Sequence, residues 1–563
     1  MVAFPPTGRG SRSTWLPSGW TLASLLLAAL LIAPILAVFL AAAGDTGGLW
    51  QHLFTTVLPR YVSNTLILMA GVGLLSVIIG VPSAWIVTRW DFPGRRVLEW
   101  SLLLPAAVPA YIVAYTYTDF LEFAGPVQTA LREFFGWQTK RDYWFPEIRS
   151  MPGAILVLSL ALYPYVYVMT RTAFRLLPGS FYEVSRLHGR PYFRGVALPL
   201  ARPAIVAGVA LVLMETVSDF GTVEYFALET LTLGIFNVWL GMNSLTGAAQ
   251  IAIVAFLFVI ALLLIEARAR GSRRYADTSK QQVTLSPTPA RGLHGALCTL
   301  ACTLPVLLGF LLPAGILLVF VLKGYSIDQY AKIAQVALNS VLVALAVAAM
   351  VMAAATLMVM EFSFRGKRIV RTAAALASTG YAFPGTILAI GTVTFAGLLD
   401  DVLQGLLEGG LGLSYAGITG TIGLVLIACM VRFQAIGYGA VTAGIERVPG
   451  NLVSASRILG EGFAGTLGRV VLPLLRTSIL AGGLLVFVDV MKELPMTLLL
   501  RPFNFDTLST FVYQFAKDEL LEEAALPALV IVLAGIGPVI LMNAALARTG
   551  RGTMPAGDAF ARP

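Results

Sequence analysis

Residues 183–189, Glu-Val-Ser-Arg-Leu-His-Gly, lead into residues 196–203, Val-Ala-Leu-Pro-Leu-Ala-Arg-Pro, and the chain then repeats the passage. Residues 454–460, Ser-Ala-Ser-Arg-Ile-Leu-Gly, lead into residues 470–476, Val-Val-Leu-Pro-Leu-Leu-Arg. Each copy is a basic, semi-polar loop between two long apolar runs. A loop of this kind that recurs at corresponding places predicts two similar membrane halves. It also suggests a docking surface in addition to a connection.

The composition requires a membrane. The chain has 563 residues, 57% of them hydrophobic and 12% charged, with a mean hydropathy of +0.81. Soluble domains carry roughly 25% charged residues. Backbone groups in lipid must be satisfied internally, which permits helices or a closed barrel. The apolar runs are long enough to cross a bilayer as helices and lack period-two alternation, so they predict helices. The net charge of +9 does not indicate nucleic acid, because the basic residues sit in short loops beside the runs and set topology there. Cys298, Cys302 and Cys429 lie inside apolar runs and read as small packing residues.

The chain reads as an all-α polytopic protein with twelve spans. The first six fall near residues 20–43, 64–88, 98–120, 152–171, 203–227 and 247–266. The second six fall near 295–321, 337–360, 370–396, 416–431, 477–500 and 525–547. Residues 1–270 form the first half, 271–291 a cytoplasmic linker and 292–563 the second half. Every even-numbered span is followed by a basic loop, which places both termini in the cytoplasm. In this reading Arg171, Arg175 and Arg432 belong to those loops. The opposite face is the more acidic. Pro199 matches Pro473 and Glu215 matches Asp489 at one common offset, and Asn64 matches Asn339 at nearly the same one. Six spans per half is an even number, so the halves run parallel about a pseudo-twofold axis, with a pathway between them.

Three features carry candidate chemistry. The doubled loop fits a short surface helix, with Phe181, Val184 and Leu187 on one face and Gly189 or Gly460 at its end. Pro199 and Pro473 suit the start of the next helix. Topology determination and docking both fit this loop. The second feature is a set of charges inside spans 5 and 11: Glu215, Asp219 and Glu224, then Asp489, Lys492 and Glu493. Ionisable groups in a span are costly and face a partner or a cavity. Glu215 and Asp219 share a helical face, and Lys492 neutralises one carboxylate of its own run. Pairing between the halves and lining of a translocation path are both compatible with these residues. The third feature is Pro105, Pro109 and Pro384, which predict kinks in spans 3 and 9 that serve gating or packing. No GxxxxGK[ST], GxSxG or HExxH occurs, so an enzyme is not expected.

The loop resembles the cytoplasmic signature of ABC-importer permeases. The matching residues are Glu183, Val184, Ser185, Gly189 and Leu198-Pro199, and again Ser454, Ala455, Ser456, Gly460 and Leu472-Pro473. The interval from Gly189 to Pro199 is shorter than that from Gly460 to Pro473, and the second copy has Ser454 in place of the usual acid. Residues 219–226 and 492–502 resemble the iron(III) branch of fused two-domain permeases. The resemblance implies a type I importer fold in a bacterial inner (plasma) membrane. It implies docking of two ABC ATPase subunits on these loops, with ATP and Mg on those subunits and no cofactor in this chain. A periplasmic binding protein is implied at the acidic face. Permeases for thiamine, polyamines or other small solutes share the architecture. An ion-coupled secondary transporter is the alternative from a different class.

Overall fold

The computed structural model describes residues 19–177, 179–189, 191–270, 287–324, 330–365, 368–446 and 448–549. Most of the predicted linker, residues 271–286, lies outside them, as do Arg9 and Arg12. Among the described residues, ten helices are long and apolar enough to cross a membrane, and one bent pair makes an eleventh. The twelfth predicted span is the 29-residue helix Leu521–Thr549. Cys298, Cys302 and Cys429 are buried and unpaired, in keeping with a packing role.

Spans 3 and 9 are fully broken at the places where their prolines predict kinks. In span 3 the segments Arg95–Ala107 and Ala110–Phe135 meet at 92°. Proline clashes with an α-helical residue ahead of it and pushes that residue toward extended backbone. Val108 obeys, with φ −94° and ψ 120°. Phe383 obeys at the equivalent place in span 9, with φ −92° and ψ 136°. Pro109 and Pro384 then cap the helices Ala110–Leu121 and Gly385–Gln404. Non-helical backbone at membrane depth is tolerated where it is enclosed by protein or faces a cavity.

Spans 5 and 11 begin and end earlier than hydropathy suggests, as Phe193–Ser218 and Ala464–Met491. Pro199 and Pro473 stand, as expected, in the first turn of the α-helices Leu198–Ser218 and Leu472–Met491, although the spans as a whole begin earlier. Each follows a single π-helical turn, Phe193–Ala197 or Leu467–Val471. Such a widened turn accommodates a residue that has no N–H and whose ring crowds the previous turn. The loop helices before them are Gly179–Leu187 and Gly450–Ile458. Gly189 and Gly460 follow with φ of 63° and 89°, the left-handed conformation that glycine adopts without a Cβ penalty. The longer second loop includes an added helical turn, Phe463–Thr466.

The duplication extends to individual hydrogen bonds. Asn64 Nδ2 donates to the Glu229 carbonyl at 3.0 Å, and Asn339 Nδ2 donates to the Asp506 carbonyl at 3.1 Å. Thr65 Oγ1 accepts from the Leu231 amide at 3.1 Å, and Ser340 Oγ accepts from the Leu508 amide at 2.7 Å. Thr230 and Thr507 cap the equivalent short helices Leu231–Phe236 and Leu508–Lys517. These polar groups thus have fixed, repeated tasks within the bundle.

The halves exchange their first spans. Span 1, Gly19–Ala42, packs against Gly385–Gln404 and Arg368–Ala377 of the second half as well as against Leu245–Arg270 of its own. Span 7, Gly292–Leu322, lies on spans 2 to 4 of the first half. Its start is pinned where Thr288–Pro289 pairs with Trp90–Asp91, and farther along Tyr117 donates to the Leu308 carbonyl at 2.8 Å. Lipid tails are as apolar as leucine, so close approach at small residues holds such contacts. A Cβ on Gly391 would collide with the Pro34 carbonyl of span 1. Gly391→Leu is therefore expected to cost about 1–3 kcal/mol or more by overpacking, read as a lower melting midpoint of the purified protein. Gly397→Leu, on the same helix with open space at the Cβ position, should leave that midpoint unchanged.

Candidate functional site

The ends of spans 5 and 11 and the breaks of spans 3 and 9 meet around a cavity of about 130 Å³. Five of the six charged residues singled out from the sequence line it: Glu215, Asp219, Asp489, Lys492 and Glu493. Glu224 does not. It sits one turn outward on Gly221–Tyr225, with Lys517 Nζ of the second half 3.3 Å from its Oε1.

Their conformations differ from the uninterrupted helices expected from hydropathy. Span 5 stops at Ser218, and Asp219 is extended, with φ −64° and ψ 131°. Its carboxylate caps the next short helix: Oδ1 accepts from the Thr222 and Val223 amides at 3.1 Å each, and Oδ2 from Thr222 Oγ1 at 3.1 Å. Glu493, its equivalent in the second half, has the corresponding task. Its Oε1 accepts from the Met496 amide at 3.0 Å, ahead of the helix Pro495–Leu500. The carboxylates are thus placed by helix capping. Lys492 Nζ lies 2.8 Å from Asp489 Oδ1, the neutralisation expected from the sequence. Tyr381 of the second half donates to Glu215 Oε1 of the first at 2.9 Å, a hydrogen bond across the interface.

Hydropathy misplaces Arg432 in a loop, because the predicted span ends just before it. The helix instead runs Ile422–Ile445 and carries Arg432 into the cavity, where it is 7% exposed. Its Nη1 lies 3.3 Å from Glu493 Oε2. Arg171, at the very end of predicted span 4, is likewise assigned to a loop. It is 3% exposed within Met151–Arg175 and is paired, like Arg175, with Glu99. The signal that could have found both is the continuation of apolar residues beyond each arginine. Tyr111, Tyr165 and Tyr381 also border the cavity.

The loop residues lie elsewhere in the fold. Ser185 and Ser456 are buried, whereas Ser454 and Ala455 are exposed. The side chains of Glu183 and Val184 fall outside the described ones. Phe181 and Leu187, placed on one face of this surface helix by the sequence, both face outward. They are 36% and 84% exposed, and their equivalents Leu452 and Ile458 are 42% and 85% exposed.

Removing one partner of a buried ion pair strands the other charge, at a cost of about 3–5 kcal/mol. Arg432→Met is expected to lower the protein's melting midpoint accordingly, and the joint change Arg432→Met/Glu493→Gln should recover most of the loss.

Comparison with known proteins adds to this geometry. Residues 76–273 match the family described as binding-protein-dependent transport system inner membrane component. The chain is 24% identical to the Fe(3+)-transport system permease protein FbpB 2 of Haemophilus influenzae, over 94% of this chain and 98% of that one. It is 22% identical to the ferric transport system permease protein FbpB of Actinobacillus pleuropneumoniae, over 88% and 73%. It is also 26% identical to the molybdenum transport system permease protein ModB of Escherichia coli, over 36% of this chain and 90% of that one. From the family match over the first half, the nearly end-to-end likeness to a full-length permease and the duplicated helical fold, the chain is a fused two-domain permease of the binding-protein-dependent ABC importer family.

Proposed function

We propose that this permease imports ferric iron through a path between its halves, driven by ATP hydrolysis on a separate subunit. The observation that carries the substrate class is the charge of the cavity. Glu215, Asp219, Asp489 and Glu493 outnumber Lys492 and Arg432 there, and both cations are already engaged by carboxylates. Such a lining favours a cation and repels an oxyanion. Hard cations take oxygen ligands, and carboxylates and phenols supply them. Two relatives named for ferric iron align along most of the chain.

The docking loops support the coupling. Leu187 and Ile458 stand at equivalent places, each largely exposed beside a left-handed glycine. An exposed apolar pair on two related helices suits two copies of one partner, here the ATPase subunits that carry ATP and Mg. The residues we assign to docking are 183–185, 189 and 199 in the first half and 454–456, 460 and 473 in the second. The halves are residues 1–270 and 292–563 joined by the linker 271–291, with both termini cytoplasmic in a bacterial inner membrane. A periplasmic binding protein delivers iron to the acidic outer face. On that side Arg149 Nη2 lies 3.0 Å from Glu519 Oε1 across the halves, and Lys517 joins Glu224. Partly exposed pairs contribute about 0–1 kcal/mol each, so they close the outer end and release readily.

The test is uptake by the permease reconstituted with its ATPase and binding protein. Ferric iron should compete fully, and thiamine, polyamines, molybdate and sulfate should not. Uptake should persist when ionophores collapse ion gradients and stop without the ATPase, and the reverse would indicate a secondary transporter. Leu187→Asp with Ile458→Asp should reduce both ATPase association and uptake at least roughly tenfold, since about 1.4 kcal/mol of lost apolar burial suffices. Normal association would remove the docking assignment.

A further inference from the structure

The two halves are duplicates, yet their contributions to the cavity are not equal. Where the second half has Tyr381, Arg432 and Lys492, the equivalent positions of the first half hold Ala106, Ala161 and Ser218. The equivalences follow from landmarks on either side. Pro109 and Pro384 cap matching helices, Ser150 and Thr421 cap spans 4 and 10, and Pro199 and Pro473 follow matching π turns. All six residues border the cavity. The acids, by contrast, are kept on both sides: Glu215 matches Asp489, and Asp219 matches Glu493.

Each half therefore offers two carboxylates, and only the second half answers them with cations of its own. Lys492 Nζ sits 2.8 Å from Asp489, and Arg432 Nη1 sits 3.3 Å from Glu493. In the first half, Asp219 is held by two amides and a hydroxyl, and Glu215 by the Tyr381 hydroxyl. No salt bridge reaches either carboxylate among the described residues. The small side chains Ala106, Ala161 and Ser218 leave the open space on that same side. Tyr111 borders it, is 5% exposed, and its hydroxyl has no hydrogen-bond partner. A buried, unpaired hydroxyl on a cavity that also holds two carboxylates without a salt bridge of their own marks a place prepared for a ligand.

From this asymmetry we infer that the cavity holds one cation at a time, on the first half, at Glu215 and Asp219, and that Lys492 and Arg432 are built-in cations filling the equivalent site of the second half. The inference rests on the import reading and narrows it to a site. No group of three His, Cys, Asp or Glu residues placed to hold a metal occurs among the described residues. The site is thus a charge-matched stopping point for a partly hydrated ion, not a coordination cage. Water occupies about 30 Å³ per molecule, so a cavity of about 130 Å³ accommodates an ion with part of its shell. Two carboxylates suffice to hold a cation there and leave it free to depart. A permease with four unanswered carboxylates would hold a trivalent ion too tightly to release it.

The experiment is equilibrium dialysis of the full chain in lipid nanodiscs against Fe(III)–nitrilotriacetate, with Mn²⁺, thiamine and molybdate as further probes. The wild type is expected to retain one cation equivalent per chain and no molybdate. Glu215→Gln/Asp219→Asn should weaken retention roughly a hundredfold, about tenfold for each charge removed. The two single variants are measured beside it, so a folding failure of the double variant leaves the question answerable. Lys492→Ser should tighten retention roughly tenfold, because it frees Asp489. Retention unchanged in every Glu215 and Asp219 variant, weakened by Lys492→Ser, or replaced by molybdate would overturn the assignment, as would a wild type that retains no cation. If Mn²⁺ or thiamine is retained with the same dependence and Fe(III) is not, the asymmetric site stands and the iron reading falls.

Discussion

A carboxylate enclosed by a helix bundle in lipid must be answered by a cation, by hydrogen-bond donors or by water, because nothing else offsets its desolvation. Much of the centre of this permease is arranged around that requirement. Asp489 and Glu493 are answered by Lys492 and Arg432. Asp219 is answered by the amides at the start of a short helix. That helix exists because span 5 stops at Ser218, and span 11 stops correspondingly at Met491. The breaks in spans 3 and 9 follow the same logic, since their non-helical backbone borders the cavity these acids line.

The exchange of first spans makes the two halves one body. Span 1 is held between its own half and the second, and span 7 between its own half and the first. Motion between the halves consequently carries a helix of each partner with it. Close approach at glycine and single hydrogen bonds, such as Gly391 with Pro34 and Tyr117 with Leu308, hold the exchanged spans in place within an apolar core shared by both halves. The π turns ahead of Pro199 and Pro473 sit between the docking loops and the cavity-lining ends of spans 5 and 11. They connect the surface on which the ATPase subunits are proposed to act with the residues proposed to hold the cargo.

The sequence by itself determined the membrane class, the helical fold and the duplication, because mean hydropathy, run length and loop charge are one-dimensional properties. It also named five of the cavity's charged residues, since an ionisable group in an apolar run stands out without coordinates. Only the tertiary structure decided that Arg432 joins them. Its place at the edge of an apolar run reads equally well as a loop anchor, and the helix continues past it because Glu493, from a different span, receives the charge. The structure likewise decided that Asp219 and Glu493 are caps outside the helices, that Pro109 and Pro384 break their spans, and that Glu224 lies outside the cavity. Those outcomes depend on which groups meet across the halves. Pairwise burial and charge compensation are long-range, whereas hydropathy records only what each residue prefers alone.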